Sequence, residues 1–207
     1  SQNAIVDATT ADVDNQYWFG CNFKAAPGSS NAEVMVSNNC SFHTCVFEAT
    51  VKNFDKVVDL RSNSHLVNCR IIGAGVGGVV GGDGDGVEAT TTTAKVIDCV
   101  ICNVHGDGYF SSNTNIRVQP HCENCTIINC GVNGMAMATP TSSGASLPGS
   151  INGNIVFNCV GSGMKVNAAD DRQSGCQIVA MGSNGTNLEN FDDYEDMIDV
   201  IPITTAD

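Results

Sequence analysis

The chain has 207 residues, enough for one domain with a real core; 42% are apolar and only 15% charged. A net charge of −13 argues against nucleic acid or anionic membrane as partners. No apolar run approaches bilayer length and no basic-plus-apolar leader is expected; a first residue of Ser1 fits initiator-Met removal, a cleaved leader or a trimmed chain.

Residues 1–16 are polar and acidic and predict an arm or lead-in strand. Tyr17-Trp18-Phe19-Gly20-Cys21 carries the only Trp, beside Phe23, and predicts an aromatic plug for the first coil of a core rather than a sugar-stacking platform. Lys24–Asn31, with Pro27 and Gly28, reads as a loop. Val34–Val36 then leads to Cys40, which has Phe42 two positions on but no glycine at its ninth position, a degenerate copy of the unit that follows.

That unit occurs five times, as Cys69–Gly78, Cys99–Gly108, Cys125–Gly134, Asn154–Gly163 and Cys176–Gly185, with starts 30, 26, 29 and 22 residues apart. Two residues in stand Ile71, Ile101, Ile127, Val156 and Ile178; four in stand Gly73, Asn103, Asn129, Asn158 and Ala180. The closing glycine follows Gly77, Asp107, Asn133, Ser162 or Asn184, which reads as a turn signal. A short strand, an Asn bend, a Gly turn and a second short strand result, and a repeat of this period predicts a solenoid. Helical repeats are excluded because the units have room only for strands of three to five residues. Insertions are expected at Gly81–Ala94, Ser111–Pro120, Ala138–Gly153 and Asn167–Ser174, projecting from one face; Thr90–Thr93 fits strand or loop.

Residues 188–207 hold seven acids and no base. Phe191, Tyr194, Ile198 and Ile201 lie at helical spacing, so an amphipathic helix capping the open end is expected, with docking of this tail on a neighbouring subunit as the alternative.

Eleven cysteines are an odd number, and Cys40, Cys69, Cys99 and Cys125 fall in one column of the repeat. Neighbours stacked about 4.8 Å apart are too far for a disulfide. Buried thiols in a chain folded in a reducing cytosol are expected, including a viral protein assembled inside its host.

The units "VNCRIIGAGVGGV", "IDCVICNVHGDGY", "ENCTIINCGVNGM" and "GNIVFNCVGSGM" resemble the rungs of right-handed parallel β-helix proteins, the pectate-lyase-like and phage-tailspike class, over roughly residues 17–188. The implied fold is all-β: a single-stranded right-handed parallel β-helix of about seven short rungs over 17–187, preceded by the arm 1–16 and closed by an acidic cap or tail at 188–207. This fold carries many unrelated tasks.

Among chemistry candidates, Asp83, Asp85 and Glu88 in the Gly81–Glu88 loop could offer Ca²⁺ hard oxygens, with a flexible Gly/Asp turn as the competing reading. Cys99, Cys102, Cys122 and Cys125, with His105 and His121, have zinc-knuckle spacing, but the repeat already accounts for Cys99 and Cys125. His105 with Asp107, and Asp170 with Asp171, are the best acid/base pairs; paired carboxylates serve glycoside cleavage. Arg117 and Arg172 lie in loops suited to ligand or partner contact. Asn-x-Ser/Thr at Asn39, Asn124 and Asn184 gives weak support for glycosylation. With no coherent active site and no required cofactor, the sequence favours a virion structural protein over an enzyme. A phage capsid decoration or tailspike-like homotrimer is expected, contacting the major capsid protein or a glycan and assembled in the host cytoplasm. The alternatives are a polysaccharide lyase or glycoside hydrolase, and a secreted or cell-surface adhesin or filament subunit.

Overall fold

The computed structural model describes residues 5–7, 11–25, 33–51, 54–76, 83–112, 121–137, 151–166, 176–182, 184–189 and 199–202. The chain winds through three stacks of short strands, and every pairing between neighbours is parallel. The first stack holds Tyr17–Phe19, Ser41–His43, His65–Val67, Lys95–Ile97, His121–Glu123 and the start of Ile151–Phe157. The second holds Ile5–Asp7, Asn22–Ala25, Val46–Ala49, Arg70–Ile72, Val100–Val104, Thr126–Cys130, the rest of Ile151–Phe157, Cys176–Gly182 and Asp199–Pro202. The third holds Ala11–Asp14, Met35–Asn38, Lys56–Leu60, Asp85–Ala89, Tyr109–Ser111, Met135–Met137, Ser162–Val166 and Thr186–Glu189. The coil count thus differs from the seven expected: the third stack alone has eight strands, because within the stretch expected to be an arm or lead-in strand Ala11–Asp14 pairs with Met35–Asn38 as a rung.

In-register pairing places like side chains above one another. The second stack turns Phe23, Phe47, Ile71, Ile101, Ile127, Val156 and Met181 into the core, all buried. The first contributes Trp18, Phe42, Leu66, Val96, Cys122 and Ile151, and the third Met35, Val58, Val87, Tyr109, Met135 and Met164. At the first coils Phe23 stacks on Phe47 with centroids 5.0 Å apart, and Trp18 meets Phe23 edge-on at 5.4 Å, so this part of the aromatic cluster is core. Tyr17 and Phe19, on the same strand, point outward and are 66% and 69% exposed.

The bends are single residues in the left-handed region, as an Asn-rich repeat predicts. Asn103, Asn129 and Asn158 have φ of 56°, 56° and 57°, and their amides chain together, Asn129 Nδ2 donating to Asn103 Oδ1 at 3.0 Å and Asn158 Nδ2 to Asn129 Oδ1 at 2.5 Å. Two further corners follow the same rule, at Asn15, Asn39 and Asn63 and at Thr44, Asn68, Asp98 and Asn124. Each coil therefore has three strands and three bends; the first-stack strands are additional to the two strands of the sequence unit.

The cysteine column is real but differently populated. Register places Cys21, Cys45, Cys69, Cys99 and Cys125 above one another, whereas Cys40 lies beside Ser64, to whose Oγ its N–H donates at 3.3 Å. Cys40-Ser-Phe42 has the spacing of Cys69-Arg-Ile71, yet Phe42 pairs with Trp18 and Leu66 on the first wall. Burial and hydrogen bonding within the column, led by that with Cys125, push the Cys99 thiol up to about 12. The described cysteines are all free thiols.

Two repeat boundaries move as well. Gly86, not Gly78, stands beside Gly108, so the extra length of the first unit falls before Asp85, and Asp85–Ala89 is a third-stack strand rather than part of an insertion. Residues 91–93 form a turn. In the last unit Val179, Ala180 and Met181 pair with Asn154, Ile155 and Val156, three residues later than the Cys176 start implies, because the register shifts between Ile151 and Asn154. Long connections consequently arise at two places: between the second and third stacks around 77–82, and after the third-stack strands at 113–120, 138–150 and 167–175. The expected C-terminal helix is also corrected in part. Asp199–Pro202, including Ile201, is a strand parallel to Cys176–Gly182, and β-branched Val200 and Ile201 suit that edge. Residues 190–198 lie outside the described residues.

The glycines before the third stack have a different cause from the one their Asp-Gly and Asn-Gly context suggested. Gly86, Gly108 and Gly134 are not among the glycines of positive φ. Instead a Cβ on Gly108 would sit 2.3 Å from Ile127 Cγ2 and 2.6 Å from the Gly134 carbonyl oxygen, and one on Gly134 would sit 2.1 Å from Val156 Cγ1. There the second wall presses its inward side chains against the backbone of the third. Gly134→Ala should accordingly destabilise by about 1–3 kcal/mol through overpacking, and Ile127→Ala by about 2–5 kcal/mol through cavity formation, both read from denaturant unfolding. Wild-type stability in Gly134→Ala would contradict this packing.

Candidate functional site

Ionisable groups concentrate where the second stack hands over to the third. Lys56, Asp85, Asp107, Asn133 and Ser162 occupy one row on successive coils, immediately before the close-packed positions. The row is knit by side chains that accept from the next coil. Asp107 N–H donates to Asp85 Oδ1 at 2.7 Å, Asn133 N–H and Nδ2 donate to Asp107 Oδ1 at 2.8 and 2.9 Å, and Ser162 N–H donates to Asn133 Oδ1 at 2.9 Å. The Asp-Gly and Asn-Gly pairs are therefore caps of a ladder, and backbone amides that would otherwise lie buried are satisfied by them.

Asp85 is only 5% exposed. Burial, followed by the Asp107 carboxylate one coil away, raises its carboxyl well above the usual range, and burial raises Asp107 too. Asp83, Asp85, Gly106, Asp107, Phe110 and Val132 enclose a groove of about 280 Å³. Gly106 admits the carboxylates, since a Cβ there would lie 2.1 Å from the Asp83 carbonyl oxygen and 2.3 Å from Asp85 Oδ1.

Beside the groove, on the outer face of the third stack, Lys56 bridges Glu88 and Asp55, the latter at 3.3 Å, and Arg61 holds Asp59 at 2.7 Å. Asp59 keeps Oδ1 buried without a hydrogen-bond partner. Lys56, Asp55, Asp59 and Arg61 were not singled out in sequence; the alternating acids and bases of Asp55-Lys56 and Asp59-Leu60-Arg61 were the available signal.

The candidates named from sequence separate accordingly. Asp83 and Asp85 line the groove, but Glu88 is drawn away to Lys56. Among the described residues no three His, Cys, Asp or Glu side chains gather as a metal-binding group. Cys99 and Cys125 stack in the core column, Cys122 faces inward from the first wall, and Cys102 is half-buried on the outside of the second, so the zinc-knuckle spacing does not converge. His105 is two residues from Asp107, yet that carboxylate is taken by Asn133, and His105 Nδ1 is buried without a hydrogen-bond partner. Arg117, Asp170, Asp171 and Arg172 lie outside the described residues, as do Gly81 and Gly82.

These three parallel walls define the class: the chain has the pectate-lyase-like, right-handed parallel β-helix fold. It is similar to a solved structure, the crystal structure of pectate lyase Pel9A, with a TM-score of 0.57 and 12% identity, the match covering 98% of this chain and 58% of that one. At that identity the likeness is one of fold, and the chain spans little more than half of the lyase. No protein-family model matches the sequence, and no curated protein matches it.

The ladder makes a prediction about pH. Asp85 binds its proton more tightly folded than unfolded, so between the ordinary carboxylate range and its elevated value the folded state holds more protons. Its contribution to stability is full below about pH 4 and declines as pH rises through that window. Asp85→Asn keeps an acceptor for the residue-107 amide, as Asn133 does for Ser162, and removes the penalty. It should raise the melting temperature at pH 7, by about 2–4 °C per kcal/mol recovered in a chain of this size, and flatten the pH slope. A melting temperature lowered at pH 7 but not at pH 4 would show that the ionised carboxylate stabilises the fold.

Proposed function

We propose that the chain is a structural and interaction protein that works as a homotrimer, in the setting of a phage particle, as a capsid decoration or tailspike-like protein. The observation that carries this reading is the outer face of the second stack. Val46, Ile72, Val100, Cys102, Ile128, Ile155 and Phe157 point away from the core on successive coils, interrupted by Arg70, Thr126 and Glu48, the last paired with Lys24 at the first-coil end of the strip. Val132 and Val160, 46% and 70% exposed, continue the apolar surface at the adjoining corner. A monomer rarely leaves a contiguous apolar strip of this extent in water, and mixed apolar and polar character is usual for a subunit interface. The phage β-helices that the sequence resembles associate as parallel trimers, which supports three copies and a particle setting, with the major capsid protein as the further partner. Light scattering at micromolar concentration should give three times the chain mass, and Ile155→Glu with Val100→Glu should reduce it to one. A monomer mass for the unaltered chain, unchanged by salt, would end this reading.

A second reading, a carbohydrate-active enzyme, is favoured by one specific observation. Asp85 and Asp107 stand at the same position of adjacent coils, whose backbones are about 4.8 Å apart, beside an open groove, with both carboxyls raised above the usual range. Retaining glycosidases use two carboxyl groups about 5–5.5 Å apart, one of them kept protonated. Incubation with a panel of acidic and neutral polysaccharides decides it: new reducing ends or unsaturated products that vanish in Asp107→Asn would establish the enzyme. Absence of turnover across the panel leaves the structural reading standing.

A further inference from the structure

The outer face of the first stack differs from the rest of this acidic molecule. Outward positions on its first four strands are Tyr17 and Phe19, Ser41 and His43, His65 and Val67, then Lys95 and Ile97, with no carboxylate among them. His121 and Glu123 follow on the fifth strand and pair with each other at 3.2 Å. Tyr17 lies against His43 with ring centroids 5.0 Å apart, extending an aromatic surface from the exposed Phe19. Burial, then the Lys95 and His43 charges, hold His65 below its usual value. Three of the four histidines of a chain of net charge −13 are on this wall.

A segment of complementary chemistry exists in the same sequence. Residues 190–198, Asn-Phe-Asp-Asp-Tyr-Glu-Asp-Met-Ile, carry four carboxylates and no base, interleaved with two aromatic and two aliphatic side chains. From this complementarity we infer that segment 190–198 of one copy docks on the outer first-stack face of a second copy, at Tyr17, Phe19, His43, His65 and Lys95.

Distance requires the second copy. The segment is tied at both ends to the last coils, by Thr186–Glu189 on the third stack and Asp199–Pro202 on the second. Nine residues anchored at both ends reach outward by at most about 18 Å, half their extended length. Asp199–Pro202 lies seven strand spacings along the second stack from the coil of Tyr17 and Phe19, about 34 Å. The contact joins the last coil of one copy to the first coil of another, so it closes if two copies exchange segments about a twofold axis and otherwise propagates head to tail into a ring or an open row. It uses a different wall from the apolar second-stack face and stands independently of it.

The test uses full-length chains carrying Ile155→Glu and Val100→Glu, to silence the apolar wall. One partner adds Tyr17→Ser and Phe19→Ser, both at exposed positions; the other adds Asp192→Asn, Asp193→Asn, Glu195→Gln and Asp196→Asn. Sedimentation at low salt should show concentration-dependent association of the parent that is at least tenfold weaker in 0.5 M salt. Each altered chain alone should be monomeric, and an equimolar mixture should form a pair and go no further, because one intact face and one intact segment remain. A peptide spanning residues 188–200 should shift Trp18 fluorescence in the parent and not in the Tyr17/Phe19 variant. A parent that stays monomeric, a segment variant that associates like the parent, or a mixture that fails to pair would each overturn the inference, with circular dichroism verifying that all chains are folded.

Discussion

Ile127 reaches across the coil until its Cγ2 would lie 2.3 Å from any Cβ placed on Gly108, and Val156 does the same to Gly134. That contact between the second wall and the backbone of the third sets the cross-section of the coil. Large side chains on one wall require their absence on the other, and each successive coil must repeat the bargain in register or open a void. Close packing of this kind leaves little room for relaxation, which is why the row tolerates no methyl group although its backbone angles would allow one. The stacked aromatic, Ile, Cys and Met columns follow from the same register.

Register also determines where polar groups are needed. A coil that bends three times leaves amides at its corners that the strand ladders do not reach, and between the second and third stacks two devices satisfy them. The Asn103–Asn129–Asn158 corner uses left-handed residues whose amides hydrogen-bond along the stack. The row Asp85, Asp107, Asn133 and Ser162 uses side-chain oxygens that accept from the coil above. Asn133 shows that an uncharged amide suffices for the cap. Carboxylates at Asp85 and Asp107 are consequently more than the fold demands, and their burial beside an open groove is what gives the enzymatic reading its physical content.

The three outer walls are chemically distinct because side chains pointing outward escape the packing rule. The second wall is a mainly apolar strip, the third carries Lys56, Arg61 and Glu88 in ion pairs, and the first collects Tyr17, Phe19, His43, His65 and Lys95. A solenoid presents such walls at fixed spacing along its axis, so any partner that repeats at the same interval, a second copy included, meets them in phase.

Sequence by itself determined the solenoid, the core columns at Ile71, Ile101, Ile127 and Val156, and the Asn bends, because each is a local choice repeated at near-constant spacing. It did not determine the register of the irregular coils. Cys40-Ser-Phe42 imitates the repeat, whereas Cys21 and Cys45 lack its spacing to a glycine and are marked only by the recurring pattern of an apolar residue, any residue, a bend residue and then Cys. Only the tertiary structure decided that Gly86 rather than Gly78 stands beside Gly108, since that depends on which backbone lies under Ile101 across the coil. The same is true of the groove: Asp83, Asp85, Asp107 and Phe110 come together through stacking of separate coils. Glu88, close to Asp85 in sequence, is held away from them by its ion pair with Lys56, a residue of the preceding coil that only the stacking of coils brings to it.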